Sequence, residues 1–182
     1  MGTVVGLELI DQILDMEIHG RFRNRELIGD LFVANPRESF KGHTFDTLWD
    51  TLHLAYFAGY AMWTYLNTPF LFALPNVKTE ELEPWQEEGE AWRCLKATFP
   101  ERIATHSAEQ TFYFDQQGLL TRHDYDVDVL GGASAAHYVS ELIEVSRITV
   151  PTKHTMFARQ PDGKSVPAPL VVSIDISEIE FR

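Results

Sequence analysis

The sequence contains a single cysteine, Cys94. One cysteine cannot form a disulfide within the chain, and it excludes a metal site built from several cysteines of one chain. Cys94 lies beside Trp92 and Leu95 in a segment where apolar residues alternate with polar ones. We therefore expect it to be a small buried side chain rather than a reactive thiol.

Basic residues are scarce. The chain has 15 Lys and Arg against 27 Asp and Glu, which gives a formal net charge of −12. No basic stripe offsets this excess, and a polyanionic backbone would be repelled. We therefore expect no nucleic-acid partner.

The N-terminal segment lacks the pattern of a secretory signal. It has no charged n-region, and Glu8, Asp11, Asp15 and Glu17 interrupt its apolar positions. A leader peptide would need an unbroken apolar stretch there. The expected location is therefore the cytoplasm.

A stretch of 27 residues, from Thr51 to Val77, contains no Asp, Glu, Lys or Arg and is rich in aromatic residues. Asn67-Thr68-Pro69 interrupts it, and a proline at that point ends a helix. The uninterrupted part, Leu52–Leu66, would reach only ~22 Å as a helix, which is short for a membrane span. The pattern therefore predicts a buried aromatic helix rather than a membrane-spanning one.

Helical spacing and turn residues divide the first half of the chain. Residues 6–18 predict an amphipathic helix that ends before Gly20, and 27–33 a short strand. Thr44 is the expected N-cap of the aromatic helix, and Gly59 is expected to kink or divide it. Residues 67–88, which are rich in glutamate and proline, are predicted to be an irregular connection.

From residue 89 onward the apolar residues recur with a period of two. Turn residues separate six such segments, at 90–99, 109–116, 119–129, 134–145, 148–159 and 169–180. Strands joined by short turns form an antiparallel meander. In the last segment Leu170, Val172, Ile174 and Ile176 are expected to face inward.

These patterns predict one α+β domain in which a curved antiparallel sheet is covered by an aromatic helical insert. Its parts are an N-terminal helix at 1–20, a helical lid at 44–68 and the meander at 89–182. A sheet with one apolar face needs such a cover.

Two motifs of the meander resemble a known family. The hairpin Phe112-Tyr113-Phe114-Asp115 with Gly118-Leu119-Leu120-Thr121-Arg122, and the strand Ile148-Thr149-Val150-Pro151-Thr152, resemble those of LolA-like half-barrels, the outer-membrane lipoprotein carriers and their relatives. The longer string from Trp49 to Phe70, taken with residues 112–138, is similar to a bacterial family whose function is not established. The resemblance implies a concave apolar sheet face, closed by helices, that can hold acyl chains. This chain departs from that pattern, because residues 20–43 leave little room for the strands that such proteins have between the first helix and the lid. We therefore expect either a smaller sheet or one completed by a second subunit, so a homodimer is one expected arrangement.

Combined with the surplus of aromatic surface, the resemblance favours a non-enzymatic binder of a lipophilic small molecule, with no cofactor and no metal. The candidate ligand-binding residues on the lid are Trp49, His53, Tyr56, Tyr60 and Trp63. Those on the sheet are Tyr113, His123, Tyr125 and His137. This hypothesis requires space between the lid and the sheet.

Two alternatives remain open. One is a hydrolase or isomerase that uses His106, His123 or His137 with a nearby aspartate, because His137 is expected near Asp124 or Asp126 across a hairpin. The other is a structural dimer without a ligand. Asp124, Asp126 and Asp128 share one face of a predicted strand, and we expect that face to be solvated rather than to bind a metal.

Overall fold

The computed structural model describes residues 51–180 of the 182-residue chain. The helix predicted at 6–18, the strand at 27–33, the Thr44 cap and Trp49 lie outside the described residues. The described elements are helix α1 (Thr51–Asn67), 3₁₀ turns at Phe70–Ala73 and Asp128–Leu130, and strands β1 (Lys78–Glu87), β2 (Glu90–Thr98), β3 (Glu109–Phe114), β4 (Leu120–Val127), β5 (Ala133–Val145), β6 (Ile148–Ala158) and β7 (Val172–Asp175).

Helix α1 runs through Gly59 without a division, so the break expected there is wrong. A Cβ at Gly59 would meet nothing within 4 Å, so no close packing forces a kink at this glycine. The helix ends where side chains compete for its last carbonyls: Asn67 Nδ2 donates to Trp63 O at 2.8 Å and Thr68 Oγ1 to Thr64 O at 2.9 Å. Pro69 follows directly. Among residues 51–180, no helix combines the length and apolar character needed to cross a bilayer.

The seven strands form one sheet in sequence order, and every neighbouring pair is antiparallel. The predicted fold class, an α+β antiparallel meander with an aromatic helix over it, is confirmed. The first strand, β1, was not predicted, because its four glutamates and Pro84 are unusual in a strand. It is an exposed edge strand, and an irregularity between Leu82 and Trp85 accommodates the proline.

A two-residue turn at Ser146-Arg147 sets the register between β5 and β6. Ser146 and Arg147 both have positive φ, at 51° and 65°, as a tight hairpin requires. Val145 therefore pairs with Ile148, and the same register continues to Ala135 and Ala158. It places His154 opposite Val139.

The side of the sheet that faces α1 is apolar and aromatic. Tyr56, Tyr60 and Tyr65 of α1 pack there with Val127 and Met156 of the sheet. Val172 and Ile174 of β7 contact this core, as predicted, but Leu170 is exposed because β7 has only four residues.

The opposite side of the sheet is organised around Arg122, which is fully buried. Its Nε and one terminal nitrogen donate to the two oxygens of Asp124, at 2.7 and 2.8 Å. The other terminal nitrogen donates to Glu87 at 2.6 Å and to the Tyr138 hydroxyl at 3.3 Å, and the remaining N–H donates to Gly163 O. All five N–H groups of the guanidinium thus have acceptors.

The same guanidinium lies over three aromatic rings. Its central carbon is 5.5 Å from the ring centroid of Trp85, 5.1 Å from that of Tyr113 and 5.3 Å from that of Tyr138. Burial alone would lower the pKa of Arg122, but hydrogen bonds with Asp124 and the charge of that residue raise it above its ordinary value. Arg122 is therefore an internal anchor, and it has no free N–H for an external anion.

Asp124 was expected to be solvated, and this expectation is wrong. Only 4% of Asp124 is exposed, because Arg122 and the Tyr113 hydroxyl, at 2.9 Å, replace water around its carboxylate. Asp126 is partly buried and accepts hydrogen bonds from Ser134 and Arg159.

Replacing Arg122 should be far more damaging than replacing an exposed arginine of the same sheet. We expect Arg122→Ala to lower the free energy of unfolding by about 3–5 kcal/mol, because the buried carboxylate of Asp124 and the partly buried carboxylate of Glu87 lose their partner. Arg93→Ala is the control, because Arg93 and Glu81 form a pair whose side chains are 74% and 59% exposed. Its cost should stay below about 1 kcal/mol. Urea denaturation measures both, and equal losses would contradict the anchor role.

Candidate functional site

Six buried rings meet beneath the C-terminal half of α1. Tyr65 comes from the helix and His106 from the loop between β2 and β3, while the other four come from β4, β5 and β6. We call this group the histidine cluster: Tyr65, His106, His123, Tyr125, His137 and His154.

Strand alternation and register bring the sheet members of the cluster together. His123 and Tyr125 lie two residues apart on β4, so both side chains face α1. His137 on β5 pairs directly with His123. His154 on β6 is displaced by two residues from the partner of His137, and its Nδ1 is 2.8 Å from His137 Nε2.

His106 is placed by the end of β4 rather than by a strand of its own. Its carbonyl accepts a hydrogen bond from Asp128 N at 3.0 Å. Its ring stacks on that of Tyr125, with centroids 4.2 Å apart and planes inclined by 9°. The loop therefore presents the imidazole edge toward α1.

Tyr65 fills the space among the four histidines. Its hydroxyl is 2.8 Å from His106 Nε2 and 2.7 Å from the Tyr125 hydroxyl. Its ring is edge-on to His137, with centroids 4.4 Å apart, and stacked on His154 at 5.7 Å. Tyr65 is thus in contact with all five other rings of the cluster.

Three ring nitrogens of the cluster lack a partner. The Nδ1 atoms of His106 and His137 and the Nε2 atom of His154 are buried, and no hydrogen-bond partner for any of them lies within the described part of the chain. By contrast, His123 Nε2 bonds Gln110 Oε1 at 2.7 Å. Because buried polar atoms are nearly always paired, these three atoms require an explanation.

The cluster is uncharged at neutral pH. Burial lowers the pKa of His106 to about 3, and it lowers that of His154 to about 4 against an opposing backbone hydrogen bond at Pro151. Burial, followed by the charges of neighbouring histidines, lowers the pKa values of His123 and His137 well below their ordinary range. Burial also raises the pKa of Tyr65. The cluster therefore offers neutral donors and acceptors rather than charges.

Of the sequence-predicted site residues, the cluster includes His123, Tyr125 and His137. Tyr56 and Tyr60 lie on α1 in the adjoining core, and His53 and Trp63 are partly buried on the same helix. Tyr113 lies on the opposite side of the sheet, against Trp92 and Arg122. The structure therefore does not bring Tyr113 together with the others.

Tyr65 and His154 were not among the predicted site residues, and His106 was considered only as a catalytic candidate. A signal for His154 exists, because a two-residue turn at Ser146-Arg147 fixes its position opposite Val139. Nothing in the sequence distinguishes Tyr65 from the other aromatic residues of α1.

The expected pairing of His137 with Asp124 or Asp126 is wrong. A two-residue turn at Gly131-Gly132 would place His137 beside Asp126, but the connection begins at Asp128 and includes a 3₁₀ turn. The resulting odd shift in register moves the pairing to His123 and to the other face of the sheet. Within residues 51–180, no three His, Cys, Asp or Glu side chains converge in a way that could hold a metal ion.

Two surface depressions are also present. One of about 210 Å³ is lined by residues that include Asp124, Asp126 and Arg159, and one of about 430 Å³ by residues that include Arg93 and Phe114. Neither is lined by a residue of α1. The open space between α1 and the sheet that the binder hypothesis requires is not present at the histidine cluster, because Tyr65 fills it. The cluster is nevertheless the better candidate site, because it contains the unpaired ring nitrogens.

No protein-family profile and no curated protein matches the sequence. Two solved structures are similar to part of the chain. A DUF1329 family protein from Desulfovibrio piger has 15% identity and a TM-score of 0.37, over 48% of this chain and 35% of its own. A LolA superfamily protein from Nitrosomonas europaea has 13% identity and a TM-score of 0.38, over 49% of this chain and 40% of its own. The matched region thus spans less than half of either structure, and the second belongs to the superfamily that the hairpin motifs resemble.

The lowered histidine pKa values predict a loss of stability in acid. The unfolded chain binds protons at about pH 6.5, whereas the folded cluster resists them until about pH 4 to 3. Stability is therefore complete above pH 6.5 and falls as the pH decreases, by about 1.4 kcal/mol per pH unit for each such histidine. Urea denaturation at a series of pH values measures this slope.

His106→Phe should reduce that slope by up to about 1.4 kcal/mol per pH unit, because one titrating group is removed. Tyr65→Phe is the matched control. It removes the hydroxyl bonded to His106 but no group that titrates between pH 3 and 7, so it should lower stability by a constant amount. An unchanged slope in His106→Phe would contradict the assignment of a lowered pKa to His106.

Proposed function

We propose that the protein is a non-enzymatic binder of a lipophilic small molecule that carries an uncharged polar group, held between α1 and the sheet. One observation carries this proposal: the buried Nδ1 atoms of His106 and His137 and the buried Nε2 atom of His154 have no hydrogen-bond partner among the described residues. A buried polar atom left unpaired costs about 1–3 kcal/mol. A ligand that hydrogen-bonds to such an atom recovers this cost.

The surroundings of these nitrogens suit a lipophilic molecule. Tyr56 and Tyr60 of α1 and Val127 and Met156 of the sheet form one apolar cluster with Tyr65 and Tyr125. Small-molecule sites combine a mostly apolar lining with a few placed polar groups. The core under α1 has this composition.

An apolar rim lies next to the cluster along the chain. Leu66, which follows Tyr65, is 42% exposed, and Phe70 is 58% exposed. Exposed apolar side chains at the end of a helix give a lipophilic molecule a first contact surface. Because Tyr65 fills the space among the histidines, binding requires the last turn of α1 to move.

The enzymatic alternative has less support. Asp124 and Asp126 lie on the other face of the sheet from the histidines, so no His–Asp pair forms in the cluster. The pKa of His106, lowered to about 3 by burial, also makes it a weak base at neutral pH. The remaining alternative is a dimer without a ligand. In that case light scattering would show a dimer, and no lipophilic probe would bind to the protein.

Competition between Nile red and octan-1-ol tests the proposal. Octan-1-ol combines an apolar chain with one uncharged hydroxyl group, so it should displace the dye from the wild-type protein. We expect His137→Phe to weaken this competition about ten-fold, equivalent to about 1.4 kcal/mol, because a ring of similar shape remains without its nitrogens. Native mass spectrometry of the purified protein should also detect a bound molecule.

Tyr138→Phe is the matched control. It removes a hydroxyl on the opposite face, where Tyr138 contacts Glu87 and Ser165. Its competition curve should equal that of the wild type. If neither Nile red nor octan-1-ol binds the wild-type protein, the proposed function is wrong, and if both variants weaken binding equally, the histidine cluster is not the site.

A further inference from the structure

We propose that the space among the four histidines is a subsite for a hydroxylated aromatic ring, and that Tyr65 is an internal occupant which the ring of the ligand replaces. This inference rests on the proposed function and names the chemical class of its ligand. The hydroxyl of that ligand would make the two hydrogen bonds that the Tyr65 hydroxyl makes in this structure, which do not involve the unpaired ring nitrogens. The contacts of Tyr65 indicate which kind of chemical group the surrounding rings accommodate.

The hydroxyl position is defined by two hydrogen-bonding groups from different elements. His106 Nε2 lies 2.8 Å and the Tyr125 hydroxyl 2.7 Å from the Tyr65 oxygen. One of these groups can accept a hydrogen bond while the other donates one, which is the complement of a neutral hydroxyl. A carboxylate or a phosphate would bring a full charge into a site without a cationic partner, which is costly.

The ring position is defined by aromatic contacts. His137 meets the Tyr65 ring edge-on, at an interplanar angle of 68°, whereas His154 stacks on it at 24°. Edge-on and stacked contacts together favour a flat aromatic ring over a flexible alkyl chain. The subsite therefore suits a phenol better than an aliphatic alcohol.

Exchange of Tyr65 is feasible because of its place in α1. It lies two residues before the end of the helix at Asn67, and the last turns of helices open more readily than their interiors. Because Leu71 is buried just beyond the helix, the opening would be confined to the segment between Tyr60 and Leu71. Tyr56 and Tyr60, which lie about two and a half and one and a half turns earlier, keep their contacts with the core while Tyr65 leaves. The lipophilic remainder of the ligand would then lie along Leu66 and Phe70, which are exposed at that end.

Two variants at Tyr65 separate recognition of the ring from recognition of the hydroxyl. Tyr65→Ala empties the subsite. The small-molecule analogue of the tyrosine side chain, p-cresol, should then bind the emptied subsite at least about ten-fold more tightly than toluene does. Tyr65→Phe keeps the ring in place and should bind neither probe at that position. Isothermal titration calorimetry measures the affinities, and a rise in Tm of Tyr65→Ala with p-cresol but not with toluene confirms binding to the folded protein.

The wild-type protein gives a second test that does not depend on a variant. In Nile red competition, 4-butylphenol should be at least about ten-fold more effective than butylbenzene and more effective than octan-1-ol. Per non-hydrogen atom, the binding free energy of 4-butylphenol to the wild-type protein should be smaller than that of p-cresol to Tyr65→Ala. The reason is that 4-butylphenol must first displace Tyr65.

The outcomes distinguish the two proposals. If octan-1-ol and butylbenzene compete as well as 4-butylphenol, the protein binds lipophilic molecules but the phenol subsite is wrong. If no probe competes in the wild type, no ligand replaces Tyr65, and both the proposed function and the inference are wrong even where p-cresol binds Tyr65→Ala selectively. Equal binding of p-cresol and toluene to Tyr65→Ala overturns the inference directly.

Discussion

The alternation of side chains along β4 gives the two faces of the sheet their opposite chemistry. Arg122 and Asp124 point to one side, where an ion pair is buried among aromatic rings. His123 and Tyr125 point to the other side, where neutral rings meet the helix. A shift of one residue in β4 would bury the arginine under α1 and expose the histidines, so the candidate site depends on this register.

Buried polar side chains are stabilised differently on the two faces of the sheet. On the Arg122 side every N–H of the guanidinium has an acceptor, so the charge is satisfied internally. On the helix side the histidines avoid charge altogether, because burial keeps them neutral. The first arrangement stabilises the sheet, while the second leaves polar atoms that can interact with another molecule.

Much of the fold could be predicted from the sequence because its information is local. Period-two alternation and turns such as Ser146-Arg147 predict six of the seven strands and their order. Strand β1 could not be predicted in this way, because its pairing with β2 overrides the poor strand propensity of Pro84 and its glutamates. The site was only partly predictable, because the convergence of His106, His137 and His154 depends on registers between distant segments. The loop that begins at Asp128 changed one of those registers by an odd number of residues.

Strand β1 also has a consequence for how molecules of this protein meet. It lies at one end of the sheet, and its outward residues include Glu80, Glu81 and Glu83. Two such edges approaching each other in antiparallel fashion would bring glutamates face to face, and Pro84 lacks the amide hydrogen needed to continue a ladder. The same carboxylates that made β1 hard to predict from the sequence therefore disfavour edge-to-edge pairing of sheets from different molecules, which is the step that leads to fibrils.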